Sequence, residues 1–183
     1  MVIIGKTGRI TDSREGFRDM VTNNMSKIEA PLALYTAIVL PQWLDYNQHM
    51  TEGYYAVVFG NASDAFIEYM GMGADYRERT GGTIYTVEAH TTFLREVKVG
   101  SPLRFTTQLL GFDAKRMQVF HRMFHGTEDY LAATFETMML YVDQATMQVT
   151  PFPPEILTNF EAVYASHRQL ERPSQAGRAI KQL

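Results

Sequence analysis

From Glu52 to Met70 the chain places apolar residues at 54, 57, 58, 62, 65, 66 and 69, and Tyr55, Phe59 and Phe66 add a second stripe. That recurrence is a helical period. A helix apolar over nearly its whole circumference has no stable place at a surface and must be wrapped by other structure. Its length of roughly 30 Å matches the width of a sheet able to do the wrapping. Gly71 and Gly73 end it, as glycines beyond a helix C-terminus do. At the other end Thr51 or a neighbour supplies the N-cap, and Glu52 puts an acid in the first turn.

Just before that helix stands Asp45-Tyr46-Asn47-Gln48-His49-Met50, following a strand-like segment, Ala37–Leu40, that Pro41 closes. A carboxylate, an amide and an imidazole fall at alternate positions beside the helix start. Such a start carries unpaired N–H groups and the positive pole of the helix dipole. A base next to an oxyanion site is the minimum equipment for acyl-group hydrolysis. The competing explanation is a plain Asx turn that only caps the helix.

The remaining pattern is that of strands. Ala30–Gln42 reads as the first, followed after the helix by a polar loop from Asp75 to Gly82. Runs at Ile84–Leu94, Pro102–Phe112, Met117–His125 and Tyr130–Asp143 are strand-like, and hairpin turns at 111–115 and 126–129 separate the last three. Pro151–Pro154 stops the sheet, and 155–171 forms an amphipathic C-terminal helix before a polar, loose tail from Arg172. Strand, long helix, then meander is an α+β order. One domain over 31–183 is expected, with residues 1–30 an N-terminal extension in which Met25 offers an alternative start. A net charge of −3 offers no general basic surface for nucleic acid, and the absence of cysteine removes disulfides and thiol catalysis. No secretory signal and no apolar run long enough for a membrane span is visible, so a cytoplasmic protein is expected.

The segment Asp45 to Met50 followed by Tyr54-Tyr55 resembles the Asp-x-Asn-x-His segment of hotdog-fold thioesterases, the 4-hydroxybenzoyl-CoA thioesterase-like enzymes among them. Over Pro41–Asn47, Tyr85–His90, Phe93–Glu96 and Lys115-Arg116 it is also similar to the betainyl-CoA thioesterases associated with L-carnitine dehydrogenase. The resemblance implies a hotdog fold, an antiparallel sheet wrapped around the long helix, and hydrolysis of an acyl-CoA thioester such as betainyl-CoA. Asp45 would be the base or nucleophile, Asn47 and His49 would orient it or the attacking water, and the backbone N–H of Glu52 would face the oxyanion. A thiol leaves readily, since its pKa is about 8.5, so no strong general acid is needed. Neither metal nor cofactor is called for. Because hotdog pockets form between subunits, a homodimer or homotetramer is implied.

If the acyl group carries a trimethylammonium, aromatic faces suit it, and Trp43, Tyr46, Tyr54, Tyr55 and Tyr85 are candidates. Glu88 and His90 share one face of a strand that could turn toward the pocket or the helix. The phosphates of coenzyme A would draw on Arg95, Lys98, Lys115 and Arg116, with Arg104 a further candidate. His121 and His125 would lie about 13 Å apart on a strand, too far to share a metal ion. The alternatives are a hotdog hydratase or dehydratase and a non-catalytic acyl-CoA-binding module.

Overall fold

The computed structural model describes residues 28–180, so the extension expected at 1–30 lies almost wholly outside the described residues. Six strands form one sheet: β1 (Thr36–Ile38), β2 (Gly82–Phe93), β3 (Pro102–Phe112), β4 (Arg116–His125), β5 (Leu131–Asp143) and β6 (Gln148–Val149). Their order is β1-β3-β4-β5-β2, with β6 beside β5, and every pairing is antiparallel. The long helix α1 (Glu52–Tyr69) lies against the face formed by odd-numbered residues of β3, β4 and β5. Val58, Phe59 and Ala62 pack with Phe105, Met123 and Phe135 toward one end. Phe66 and Met70 pack with Leu109, Val119 and Met139 toward the other. Each buried ring or aliphatic side chain contributes about 1.5–3 kcal/mol.

The helix is less enclosed than its apolar circumference implied. Ala56, Asn61 and Asp64 face solvent and Val57 is half exposed. One sheet covers one side of a cylinder, and the small residues Gly53, Ala56 and Gly60 occupy the side it leaves open.

A polar thread runs through the core. His121 of β4 is wholly buried, its Nδ1 3.0 Å from Thr107 Oγ1 and its Nε2 3.1 Å from Ser63 Oγ on α1. Ser63 spends its hydroxyl proton on the carbonyl of Phe59 at 3.0 Å. The histidine must therefore donate from Nε2 and accept at Nδ1, which leaves every group in the thread satisfied. A second buried histidine, His167, accepts the N–H of Leu109 at 2.9 Å, where a bulge between Leu109 and Gly111 breaks the β3 ladder.

Elsewhere the structure departs from the sequence pattern. β1 is only Thr36–Ile38, because the segment from Leu32 meets β3 through scattered bonds and Pro41–Trp43 turns into a 3-10 helix. The polar loop expected at 75–82 is largely a helix, α2 (Ala74–Thr80), anchored by buried Tyr76 and closed by Gly81 at φ 70°. Tyr76 Oη meets Tyr141 Oη at 2.6 Å. The C-terminal helix α3 (Pro154–His167) stops short of 171, and Asn159 on it caps the Met70 carbonyl of α1 at 3.0 Å. The tail beyond is laid down rather than loose. Pro173 is buried, and Glu136 on the outer sheet face accepts the N–H of Gly177 at 2.6 Å. No helix among the described residues is long and apolar enough to cross a membrane.

Candidate active site

The turn before α1 is held mainly by backbone. Asp45 N–H donates to His49 O at 2.9 Å, and Gln48 N–H donates to Asp45 O at 3.1 Å. Asp45 Oδ1 accepts the N–H groups of Asn47 at 2.8 Å and His49 at 3.3 Å. The Asx-turn explanation is thus correct as local structure, and it fixes the carboxylate by one oxygen while leaving the other out of the turn. Gln48 takes φ 65°, a left-handed conformation that costs a non-glycine residue about 1–2 kcal/mol. The turn is then fastened forward: Met50 N–H reaches Val97 O at 3.1 Å and Thr51 N–H reaches Trp43 O at 2.9 Å.

Thr51 is the N-cap residue by its backbone (φ −71°, ψ 150°), but its hydroxyl makes no capping bond. The first turn of α1 keeps donors that a capping side chain would otherwise engage. Beside it opens a cleft of about 340 Å³ whose lining includes Met50, Glu52, Tyr55, Phe93, Arg95 and Glu96. Tyr55 and Phe93 meet edge to face, centroids 5.0 Å apart. Burial, then the charges of Tyr130 and Glu96, push the Tyr55 phenol up to about 12, so it stays neutral across the physiological range. His49 Nε2 lies 3.2 Å from Glu96 Oε2, which ties the turn to the loop after β2.

The expected site residues divide into three sets. Glu52, Tyr55 and Arg95 line the cleft; Asp45, Asn47 and His49 form the adjoining turn without lining it in a single chain. Trp43 stacks on Tyr54 (5.6 Å) beside the turn, and Tyr46 projects almost fully into solvent. Tyr85, Glu88 and His90, expected at the acyl pocket, lie on the other face of the sheet. They stand opposite Leu140, Met138 and Glu136 of β5, whose odd-numbered neighbours Phe135 and Met139 face α1. A bulge between Thr86 and Glu88 preserves that facing along β2.

The cationic set splits as well. Arg95 and Lys98 follow β2 at the cleft end, whereas Lys115 and Arg116 stand at the β3–β4 turn, about 30 Å away along the strands. Arg116 is taken up by Asp113, with 2.7 Å from Nε to Oδ2, and that pairing holds the Asp113 carboxyl below the usual carboxylate range. Arg104 stacks over Phe124 at 4.5 Å and pairs with Asp129. Glu96, Phe93 and Met50 were not singled out from the sequence as site residues. The signal for the first two was the short run Phe93-Leu94-Arg95-Glu96, from which only the arginine was drawn. Among the described residues no three His, Asp or Glu side chains gather closely enough to hold a metal ion.

A long helix held in a curled antiparallel sheet is the arrangement of the hotdog-fold thioesterases. The profile of the thioesterase-like superfamily matches residues 39–160, and the chain belongs to that superfamily. It is 37% identical over 149 residues to a betainyl-CoA thioesterase of Pseudomonas aeruginosa, covering 81% of this chain and 94% of that protein. It is 39% identical over 152 residues to an L-carnitine dehydrogenase/betainyl-CoA thioesterase of Rhizobium meliloti, covering 83% of this chain and 30% of that larger protein. Among solved structures, a Staphylococcus aureus protein in complex with CoA superposes with a TM-score of 0.78 at 27% identity, covering 86% of this chain and 100% of that one. A DHNA-CoA thioesterase from Staphylococcus aureus shares the fold, with a TM-score of 0.68 at 15% identity over 74% of this chain and 92% of its own.

Proposed function

We propose that the protein hydrolyses acyl-CoA thioesters to a free acid and CoA, betainyl-CoA among them, and that it does so as a pair of chains. The observation that carries this is a fixed carboxylate turn abutting an uncapped helix start, with a cleft alongside. The free oxygen of Asp45 supplies the activated oxygen, by deprotonating water or by attacking the carbonyl itself. The first-turn N–H groups of α1, that of Glu52 foremost, receive the oxyanion, a contribution of about 2.7–4 kcal/mol per donor. Asn47 and His49 orient the carboxylate and the attacking water, and Glu96 holds His49. The reaction needs no metal and no cofactor beyond the CoA of its substrate.

A second copy completes the site. β2 is a 12-residue outer strand whose far edge has no partner strand among the described residues, and half-exposed Tyr85 and Val87 lie along it. Long uncovered edges are rare in stable single chains, and pairing there encloses the cleft that one chain leaves open.

The test is thiol release across a panel of acyl-CoAs that includes betainyl-CoA, with product mass spectrometry to separate free CoA from a hydrated acyl-CoA. Asp45→Ala is expected to lower turnover about 10²–10⁴-fold with an unchanged circular dichroism spectrum. Undiminished hydrolysis by that variant on every ester would remove Asp45 from the reaction.

A further inference from the structure

Given the thioester-hydrolase reading on which this rests, we propose that Glu96 selects esters whose acyl group bears a fixed positive charge close to the carbonyl. The cleft at the start of α1 carries two carboxylates, Glu52 and Glu96, against a single guanidinium, Arg95. That guanidinium is turned aside: it stacks over Tyr130 at 3.8 Å and lies 3.9 Å from Glu128. What remains facing the cavity is negative charge beside the two rings of the Tyr55–Phe93 corner.

Glu96 is held there from three sides. Tyr130 Oη donates to its carbonyl at 2.9 Å, the next carbonyl, that of Val97, accepts Met50 N–H at 3.1 Å, and His49 Nε2 meets its carboxylate at 3.2 Å. An acyl group with a quaternary nitrogen on the carbon next to the carbonyl demands two opposite receptors within a few ångströms. N–H donors must meet the oxygen as it gains negative charge, and a carboxylate with aromatic faces must meet the cation. The open first turn of α1 supplies the former, and Glu96 with Tyr55 and Phe93 supplies the latter. A neutral acyl group of the same shape takes water from the carboxylate and leaves it only the His49 contact in exchange.

The experiment compares kcat/KM for betainyl-CoA and for tert-butylacetyl-CoA, which replaces the quaternary nitrogen by carbon and keeps the shape. The wild-type protein is expected to favour the charged ester by about tenfold or more. Glu96→Gln keeps the volume and an acceptor for His49 but removes the charge, and is expected to cut that ratio about tenfold. A proportional loss on both esters would mean that Glu96 acts only through His49 and would overturn the assignment. So would a wild-type protein indifferent to the charge, a readout that survives if the variant fails to fold. Should the protein cleave only uncharged esters, hydrolysis stands and this proposal falls. If no CoA ester releases thiol, the hydrolase reading falls and takes this one with it.

Discussion

His121 shows how much one side chain's surroundings decide. A serine hydroxyl 3.1 Å from an imidazole has the outline of a nucleophilic pair, yet nothing can reach it, since the ring is wholly buried between Phe59 and Phe135. Its burial pushes the imidazole down to about 3, far below its ordinary value, so it stays neutral in the folded protein at any working pH. The unfolded chain binds a proton there near pH 6.5, and the folded one does not. Stability from this residue is therefore complete above that pH and drains away as pH falls toward the folded value. Urea titrations should register a loss of roughly 3 kcal/mol from His121 between pH 7 and pH 4. His121→Gln, less stable at neutral pH, should show a correspondingly shallower decline. Parallel curves for the two proteins would contradict the neutral-histidine account.

At the scale of elements, α1 combines a packed flank with an unfinished beginning. A carboxylate at the cap position would engage Gly53 N–H and add charge favourable to the dipole, so Thr51→Asp should raise stability by about 1 kcal/mol. The same carboxylate would sit where the oxyanion must form. Turnover should drop while the melting temperature rises, and a gain in both would separate the helix start from catalysis. The body of this helix and β3 to β5 were legible because their apolar periods are long and regular. The helix α2 was not, since its polar sequence conceals a single buried anchor, Tyr76, whose partner Tyr141 lies far along the chain. For the same reason the tail read as loose: what pins it is Glu136, a residue of another strand. The Asp45 turn could be read from three residues at alternate positions within five, whereas Glu96 joins it only after folding brings the β2–β3 loop across.

For the whole molecule the open edge of β2 makes association measurable. Light scattering should report at least a dimer, and Val87→Lys, which places a charge on the half-exposed bulge of that edge, should shift the protein toward monomer and lower activity with it. A fully active monomer would disprove the shared site. If the edges do join, antiparallel joining reverses one chain against its neighbour. Arg95 and Lys98 at one pole of a copy would then come alongside the pole of the other that carries Lys115 and Arg116. Cations that look scattered along one chain would be gathered by symmetry alone, so that a long polyphosphate ligand could be gripped by two copies at a point where neither has enough charge by itself.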